Sequence, residues 1–318
     1  MSSSLAANWT VVLAAGEGTR LRPLTRLLHG EELPKQFAMI QHGRSLLQST
    51  LSRTAAFSPP QRTVVVVAHD REAVARAQLD ALGGVEIVVQ PRNLGTGPGI
   101  LLPLAHVMAR DPQALVTIVP SDHFVRHPAP FLDSVRNAVS HATAEDALVL
   151  IGAVPERAET EYGWIVPASS GSAQGAAVSG FHEKPGASLA RQLLQNGALW
   201  NTFVMAAPAQ RIWKIAGQYL PAQVREFDAY RRVLDTGSAK RVLSEAYARM
   251  NAADFSRDVL EHAGNLRVVP LQPCGWSDWG TPHRVLKSLR GSADFNALLE
   301  RIRPRLGELA PAIFNLGE

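Results

Sequence analysis

A stretch near the amino end, Val11 to Thr25, reads VVLAAGEGTRLRPLT. Its apolar run stops at Gly16 and Gly18, and Thr19, Arg20 and Arg22 follow at once. Glycines let a backbone turn with φ above zero and bring N–H groups against an anion, while arginines add charge-assisted hydrogen bonds. The chemistry that suits this stretch is phosphate binding where a buried strand opens into a loop. A Walker loop is excluded, because no glycine-lysine pair followed by Ser or Thr is present. A dinucleotide fingerprint is disfavoured, because Leu21 stands where its third glycine belongs.

Further along, Lys35 lies in Pro34-Lys35-Gln36-Phe37, Asp122 in Pro120-Ser121-Asp122-His123, and Asp278 in Gly275-Trp276-Ser277-Asp278-Trp279-Gly280. An isolated lysine is ordinarily a solvated charge, so Lys35 draws its interest from the phosphate loop before it. An aspartate at the end of an apolar strand is either a cap or a metal carboxylate. Mg²⁺ takes one or two carboxylates together with phosphate oxygens, and Asp278 offers the second. His123 reads as a satisfied structural histidine. Glu183-Lys184-Pro185, on its own, reads as a solvated turn before proline.

Taken in order, these strings resemble those of the sugar-1-phosphate nucleotidylyltransferases. The first is similar to LxxGxGTRLxPLT, PKQF resembles the form found in mannose-1-phosphate guanylyltransferases, and Gln90 to Ile100 partly resembles their RNTAPAI base loop. PxDH, YGxI, EKP, WNxG and WxDxG follow in the family's order, at Asp122, Tyr162, Glu183, Trp200 and Asp278. The resemblance runs from about Val11 to Gly280. It implies that Leu13, Ala14, Ala15, Gly16, Gly18, Thr19, Arg20, Asn93 and Thr96 bind the nucleotide, and that Gly163, Glu183, Lys184 and Asn201 hold the sugar phosphate. It further implies that Arg20, Lys35 and Lys184 serve catalysis and that Asp122 and Asp278 hold Mg²⁺. The substrates so implied are GTP and mannose 1-phosphate, giving GDP-mannose and pyrophosphate, with self-association into a homo-oligomer as in relatives.

Two departures leave rivals open. Leu94-Gly95 interrupts the base loop between Asn93 and Thr96, and Thr202-Phe203-Val204-Met205 stands where relatives read SGMF. The alternatives are a glucose-1-phosphate enzyme using UTP, dTTP or ATP, and a non-catalytic paralogue that binds a nucleotide sugar.

The elements that must position these residues alternate through the first half. Strands are expected at Val11–Ala15, Thr63–Ala68, Val85–Gln90, Leu115–Pro120 and Ala147–Val154, with helices at Ser45–Ala56, Arg71–Leu82, Pro98–Ala109 and Pro130–Ala142. That rhythm predicts an α/β, Rossmann-like fold with a largely parallel mixed sheet flanked by helices, and ligands beyond the strands' carboxyl ends. Later strands are expected at Gly163–Val166, Ala177–Glu183, Asn201–Ala206 and Leu266–Pro270, partly antiparallel, with helices from Pro208 to about Met250. Residues 1–281 form the expected catalytic domain, and 282–318 a short helical segment with a Pro- and Gly-punctuated tail.

The 318 residues are 46% hydrophobic with a formal net charge of +4. Lys and Arg are scattered, which argues against a nucleic-acid partner. No apolar stretch of about 18 residues appears, so no membrane span is expected. The one cysteine, Cys274, forms no intrachain disulfide and reads as a small buried hydrophobe in a reducing compartment. Residues 1–10 lack a signal-peptide pattern, and the expected location is the cytoplasm.

Overall fold

Strands buried on both faces read as continuous apolar runs, and Thr63–Ala68 and Leu148–Ala153 are such runs within one sheet. The computed structural model describes residues 8–41, 43–168 and 175–305. Its elements run β1 (Trp9–Leu13), α1 (Arg22–His29), α2 (Leu46–Thr54), β2 (Thr63–Ala68), α3 (Glu72–Leu79), β3 (Glu86–Gln90), α4 (Thr96–Arg110), β4 (Leu115–Pro120), α5 (Pro128–Glu145) and β5 (Leu148–Ala153). There follow β6 (Gly163–Pro167), β7 (Ala176–Glu183), α6 (Ala187–Gln195), β8 (Leu199–Pro208), α7 (Ala209–Tyr219), α8 (Pro221–Arg231), α9 (Ala239–Arg249), β9 (Leu266–Pro270), α10 (Pro282–Leu289) and α11 (Ala293–Ile302).

The strands form one nine-stranded sheet in the order β3-β2-β1-β4-β8-β5-β9-β7-β6. The β3-β2-β1-β4 half is parallel. Beyond it, β8 runs antiparallel to both β4 and β5, and β5 pairs β9 in parallel. The β6–β7 ribbon completes the far edge antiparallel. The α/β, largely parallel mixed sheet expected from the sequence is therefore present.

The sheet's two faces carry separate apolar cores. One packs α4, α7, α8 and α9 against residues such as Val11, Ile118 and Met205, and the other packs α2, α3 and α5 against Val12, Val65 and Val149. Alternate residues of one strand thus serve opposite faces, as the pleat dictates. Ser45 starts α2 with a reciprocal capping box to Gln48, satisfying two of the backbone donors that a helix start leaves unpaired.

Two helices lie where no helix was expected. The string after Gly18 continues directly into α1, with Pro23 in its first turn, a position where the missing proline N–H costs nothing. After Pro185-Gly186, α6 follows and buries Ala190 and Leu193. The expected helical region after Pro208 resolves into α7, α8 and α9.

The segment after Thr281 is tied to the amino-terminal half. Val285 and Leu289 of α10 and Leu298 and Ile302 of α11 share a third apolar cluster with Leu21, Leu24, Leu27 and Trp279. Arg305 donates to the Leu27 carbonyl at 3.0 Å and Arg301 to that of Met39 at 2.7 Å. The punctuated tail beyond Arg305 and residues 1–7 lie outside the described residues. Among the described residues, no helix is long and apolar enough to cross a membrane.

Leu298 is fully buried in this cluster. Leu298→Ala is expected to cost about 3 kcal/mol, the scale of a cavity left by a buried leucine. A shifted urea midpoint with unchanged m-value would show it, and a loss below about 1 kcal/mol would contradict this packing.

Candidate active site

In an open α/β sheet, loops that leave neighbouring strands in opposite directions open a crevice at the strands' carboxyl ends. Here that switch lies between β1, whose chain passes on to β2, and β4, paired in the register Leu13↔Pro120. The Leu13 carbonyl accepts from Ser121 N at 3.1 Å, so the glycine loop and Asp122 leave adjacent strands side by side.

The glycine loop is held from beneath. Gln36 donates to the carbonyls of Ala14 at 2.8 Å and Gly16 at 2.7 Å. Gly18 has φ +57, and a Cβ there would sit 2.9 Å from the Lys35 backbone nitrogen. Only glycine combines this left-handed turn with so close an approach. The loop, together with Ala68 to Arg71 after β2 and Pro91 to Asn93 after β3, lines a cavity of about 440 Å³. Of the loop residues expected to bind the nucleotide, Ala15 and Gly16 line this cavity, while Leu13, Ala14, Gly18, Thr19 and Arg20 do not.

Asn93 faces this cavity, and its Oδ1 accepts from Gly95 N at 2.9 Å. Thr96 is engaged elsewhere: its hydroxyl accepts from Phe255 N at 2.7 Å, pinning the start of α4 to the segment after Met250. Gly95, with φ +88, meets that segment so closely that a Cβ would lie 2.5 Å from the Ala253 carbonyl oxygen. The inserted Leu94-Gly95 pair therefore serves a backbone junction between α4 and residues 253–255.

Lys35, Asp122 and Asp278 converge. The Lys35 ammonium, 7% exposed, donates to Asp122 Oδ2 at 2.8 Å and to the Asp278 backbone carbonyl at 2.5 Å. The Asp278 carboxylate is engaged by other partners. Arg284 Nη1 lies 2.9 Å from each of its oxygens, and the Tyr162 hydroxyl donates to Oδ1 at 2.5 Å. Burial on its own would raise the Asp278 pKa, but Arg284, Tyr162 and Lys35 hold it below the ordinary carboxylate range. Arg20 pairs with Glu161 at 2.9 Å, both half-exposed, and its Nη2 would lie 3.2 Å from a Cβ on Gly280, where the Asp278 carboxylate and Arg284 also meet.

The remaining candidates meet on the β6–β8 side. Gly163 lies opposite Glu183 in the ladder, and a Cβ on Gly163 would meet Glu183 Oε2 at 2.7 Å and Asn201 Cβ at 3.3 Å. Burial, then the nearby Asp254, pushes the Glu183 pKa up, with Lys184 acting against them. Lys184 is half-exposed, and its backbone N donates to the Tyr162 carbonyl at 3.2 Å. Tyr162 therefore touches both halves of the site.

Several contributors were not singled out in the sequence. His69, Asp70 and Arg71 follow β2 on the cavity rim, and their place at the carboxyl end of a Val-rich strand was the available signal. Glu159 and Arg284 act through partners distant in the chain, for which no local pattern exists, whereas Gln36 and Tyr162 lie inside the PKQF and YGxI strings, where they were given no role of their own. His123 is structural, as expected, since its Nδ1 accepts from Trp276 Nε1 at 3.2 Å.

Burial lowers the His123 pKa to about 4, Asp122 opposing and Lys35 assisting. The group is thus neutral in the folded protein where the unfolded chain, near 6.5, already binds a proton. Stability present above pH 6.5 is expected to fall as pH drops from about 6.5 toward about 4, by up to about 1.4 kcal/mol per unit from this group. Urea unfolding at stepped pH should show a shallower acid slope for His123→Gln than for the parent, and equal slopes would contradict the buried neutral state.

A model of the family described as nucleotidyl transferase matches residues 9–292. The xanthan biosynthesis protein XanB of Xanthomonas campestris pv. campestris (strain B100) is 31% identical over 279 residues, covering 85% of this chain and 57% of that protein. A mannose-1-phosphate guanylyltransferase of Salmonella muenchen is 30% identical over 282 residues, with the same two coverages. The chain therefore spans little more than half the length of these relatives. A solved structure from Thermus thermophilus, described as a mannose-1-phosphate geranyltransferase, superposes with a TM-score of 0.77 at 29% identity, covering 90% of this chain and 80% of that one. A UTP-bound UGPase from Acinetobacter baumannii shares the fold, with a TM-score of 0.58 at 16% identity, covering 93% of this chain and 98% of that one. With a family match that embraces the glycine loop, the Lys35–Asp122–Asp278 junction and the β6–β8 side alike, this chain belongs to the nucleotidyl transferase family.

Proposed function

We propose that this protein is a sugar-1-phosphate nucleotidylyltransferase that joins GTP and mannose 1-phosphate into GDP-mannose and pyrophosphate. The observation that carries the proposal is the buried Lys35 ammonium, fixed between the Asp122 carboxylate and the Asp278 carbonyl at the mouth of the glycine loop. The similarity to mannose-1-phosphate guanylyltransferases at 29–30% identity supports the choice of sugar and base.

In this reading a phosphate oxygen of the sugar phosphate attacks the α-phosphorus of GTP in line, and pyrophosphate departs with the electron pair of the broken P–O bond. Two polyanions must be brought together, so positioning and preorganised positive charge are the main contributions a protein can make. The backbone from Ala14 to Thr19 and Arg20 would grip the triphosphate. Lys35, already desolvated and aimed, would stabilise charge developing around the reacting phosphorus. Lys184 would hold the attacking phosphate, with Glu183 and Asn201 toward the sugar hydroxyls.

The donor set fits a divalent cation at Asp122, whose side chain is 29% exposed and keeps Oδ1 3.9 Å from His123 Nε2. Asp278 is the second carboxylate within this junction, and its oxygens are held by Arg284 and Tyr162. When bound, Mg²⁺ supplies neutralisation of the phosphate charge. The chain's own part is to present Asp122 beside Lys35 and to keep the junction closed to bulk water.

Pyrophosphate release with Mg²⁺ tests the proposal directly, with GTP, ATP, UTP, CTP and dTTP each set against mannose 1-phosphate and glucose 1-phosphate. Release confined to GTP with mannose 1-phosphate is expected. Another productive pair would overturn the substrates, and silence across the grid would overturn the activity. Lys35→Ala is expected to lower kcat at least about a hundredfold, equivalent to ~2.7 kcal/mol, the scale of one preorganised donor. A near-parental kcat in that variant would remove Lys35 from the chemistry.

A further inference from the structure

Arg284 sits in the first turn of α10, its backbone N donating to the Thr281 hydroxyl at 3.3 Å. Its guanidinium is 11% exposed and lies 4.8 Å above the Tyr162 ring. Nη1 contacts both Asp278 oxygens, and Nη2 contacts Glu159 Oε2, which also accepts from Arg157 at 2.8 Å. Asp278 Oδ1 thus accepts from two donors, Tyr162 and Arg284, which uses the lone pairs of that oxygen.

Charge in this junction is already balanced. Asp122 is matched by Lys35, and Asp278 by Arg284. Lys35 is anchored twice, on Asp122 and on the Asp278 carbonyl. Arg284 has a second acceptor in Glu159, so it can leave Asp278 without becoming a buried unpaired charge, the costly outcome for such pairs. A divalent cation arriving at Asp122 meets a neighbouring carboxylate whose charge is masked.

We propose that Arg284 is a resident cation of the metal site: it occupies Asp278 in the substrate-free protein and weakens divalent-cation binding by competing for that carboxylate. Asp122 would then provide the protein's first hold on the ion, with Asp278 free for it only when Arg284 gives up Asp278 and keeps Glu159 alone. The assignment deepens the nucleotidylyltransferase reading and rests on it for the place of the metal. It predicts that divalent-cation affinity without nucleotide is low by construction and is raised by removing the guanidinium.

The test is Mn²⁺ titration of the nucleotide-free full chain, followed by the electron paramagnetic resonance signal of free Mn²⁺. Arg284→Met is expected to bind Mn²⁺ at least about fivefold more tightly than the parent, and a smaller gain overturns the proposal. Asp278→Asn in the parent background is expected to stay within about threefold of the parent, because the carboxylate it removes is already masked. A larger loss overturns the proposal, and this arm decides alone if circular dichroism shows Arg284→Met unfolded. Asp122→Asn should weaken binding in either background, and unchanged binding would place the ion elsewhere and overturn the assignment. The pyrophosphate assay on the parent is read separately. Silence there with the Mn²⁺ pattern intact would sink the catalytic reading and leave Arg284's role standing, whereas release with no tightening in Arg284→Met would do the reverse.

Discussion

The junction depends on one buried ammonium. Lys35 is closed off from solvent and directs its hydrogen bonds to a carboxylate from the end of β4 and a backbone carbonyl from the segment after β9. A buried cation without partners costs several kcal/mol, so the fold that buries Lys35 must deliver both acceptors together. The same short helical turn carries Gln36, which holds two carbonyls of the glycine loop. The loop's shape and the placement of the charge behind it therefore rest on one piece of backbone, packed so tightly that residue 18 must lack a Cβ.

Around this junction the backbone is strained in places that are themselves parts of the candidate site. Lys184, Phe203 and Trp279 all adopt positive φ without being glycine. Each lies beside a residue with a proposed role: Glu183, Asn201 and Asp278. Such conformations cost on the order of 1–3 kcal/mol and persist only when surrounding contacts impose them. At Phe203 the contact is visible, since its backbone N is captured by the Asn201 side chain at 3.0 Å. Phe203 also occupies the glycine place of the SGMF string, and its φ of +56 is one that glycine adopts freely.

The carboxyl-terminal helices belong to the same physical system. Trp279 is fully buried beside Leu24 and Val285 and stacks on Phe124 with 4.7 Å between ring centroids. Asp278 immediately precedes it, and Arg284 lies in the first turn of α10. The apolar packing of α10 and α11 on α1 thus sets where the guanidinium meets the carboxylate. Burial makes that ion pair matter, because little solvent screens it.

Much of the fold was legible in the residues. The β-α rhythm of the first half is clear because strands covered on both faces must be apolar throughout, and Thr63 to Ala68 is such a run. The order of the quoted strings carried the family, which the match over residues 9–292 shows. What the chain does not display locally is its own shape between strings: α1 is hidden inside the phosphate string, and α6 begins directly after a Pro-Gly pair. Charge partnership is hidden still more deeply. Lys35 with Asp122, Tyr162 with Asp278 and Arg284 with Glu159 are joined across long stretches of chain. Electrostatic attraction acts through space and is strong only where water is excluded. Residue types and their order determined that the glycine loop and Asp122 would stand side by side at the carboxyl ends of β1 and β4. Only tertiary packing, by burying particular charges next to one another, decided which of them neutralise each other and which remain for a ligand.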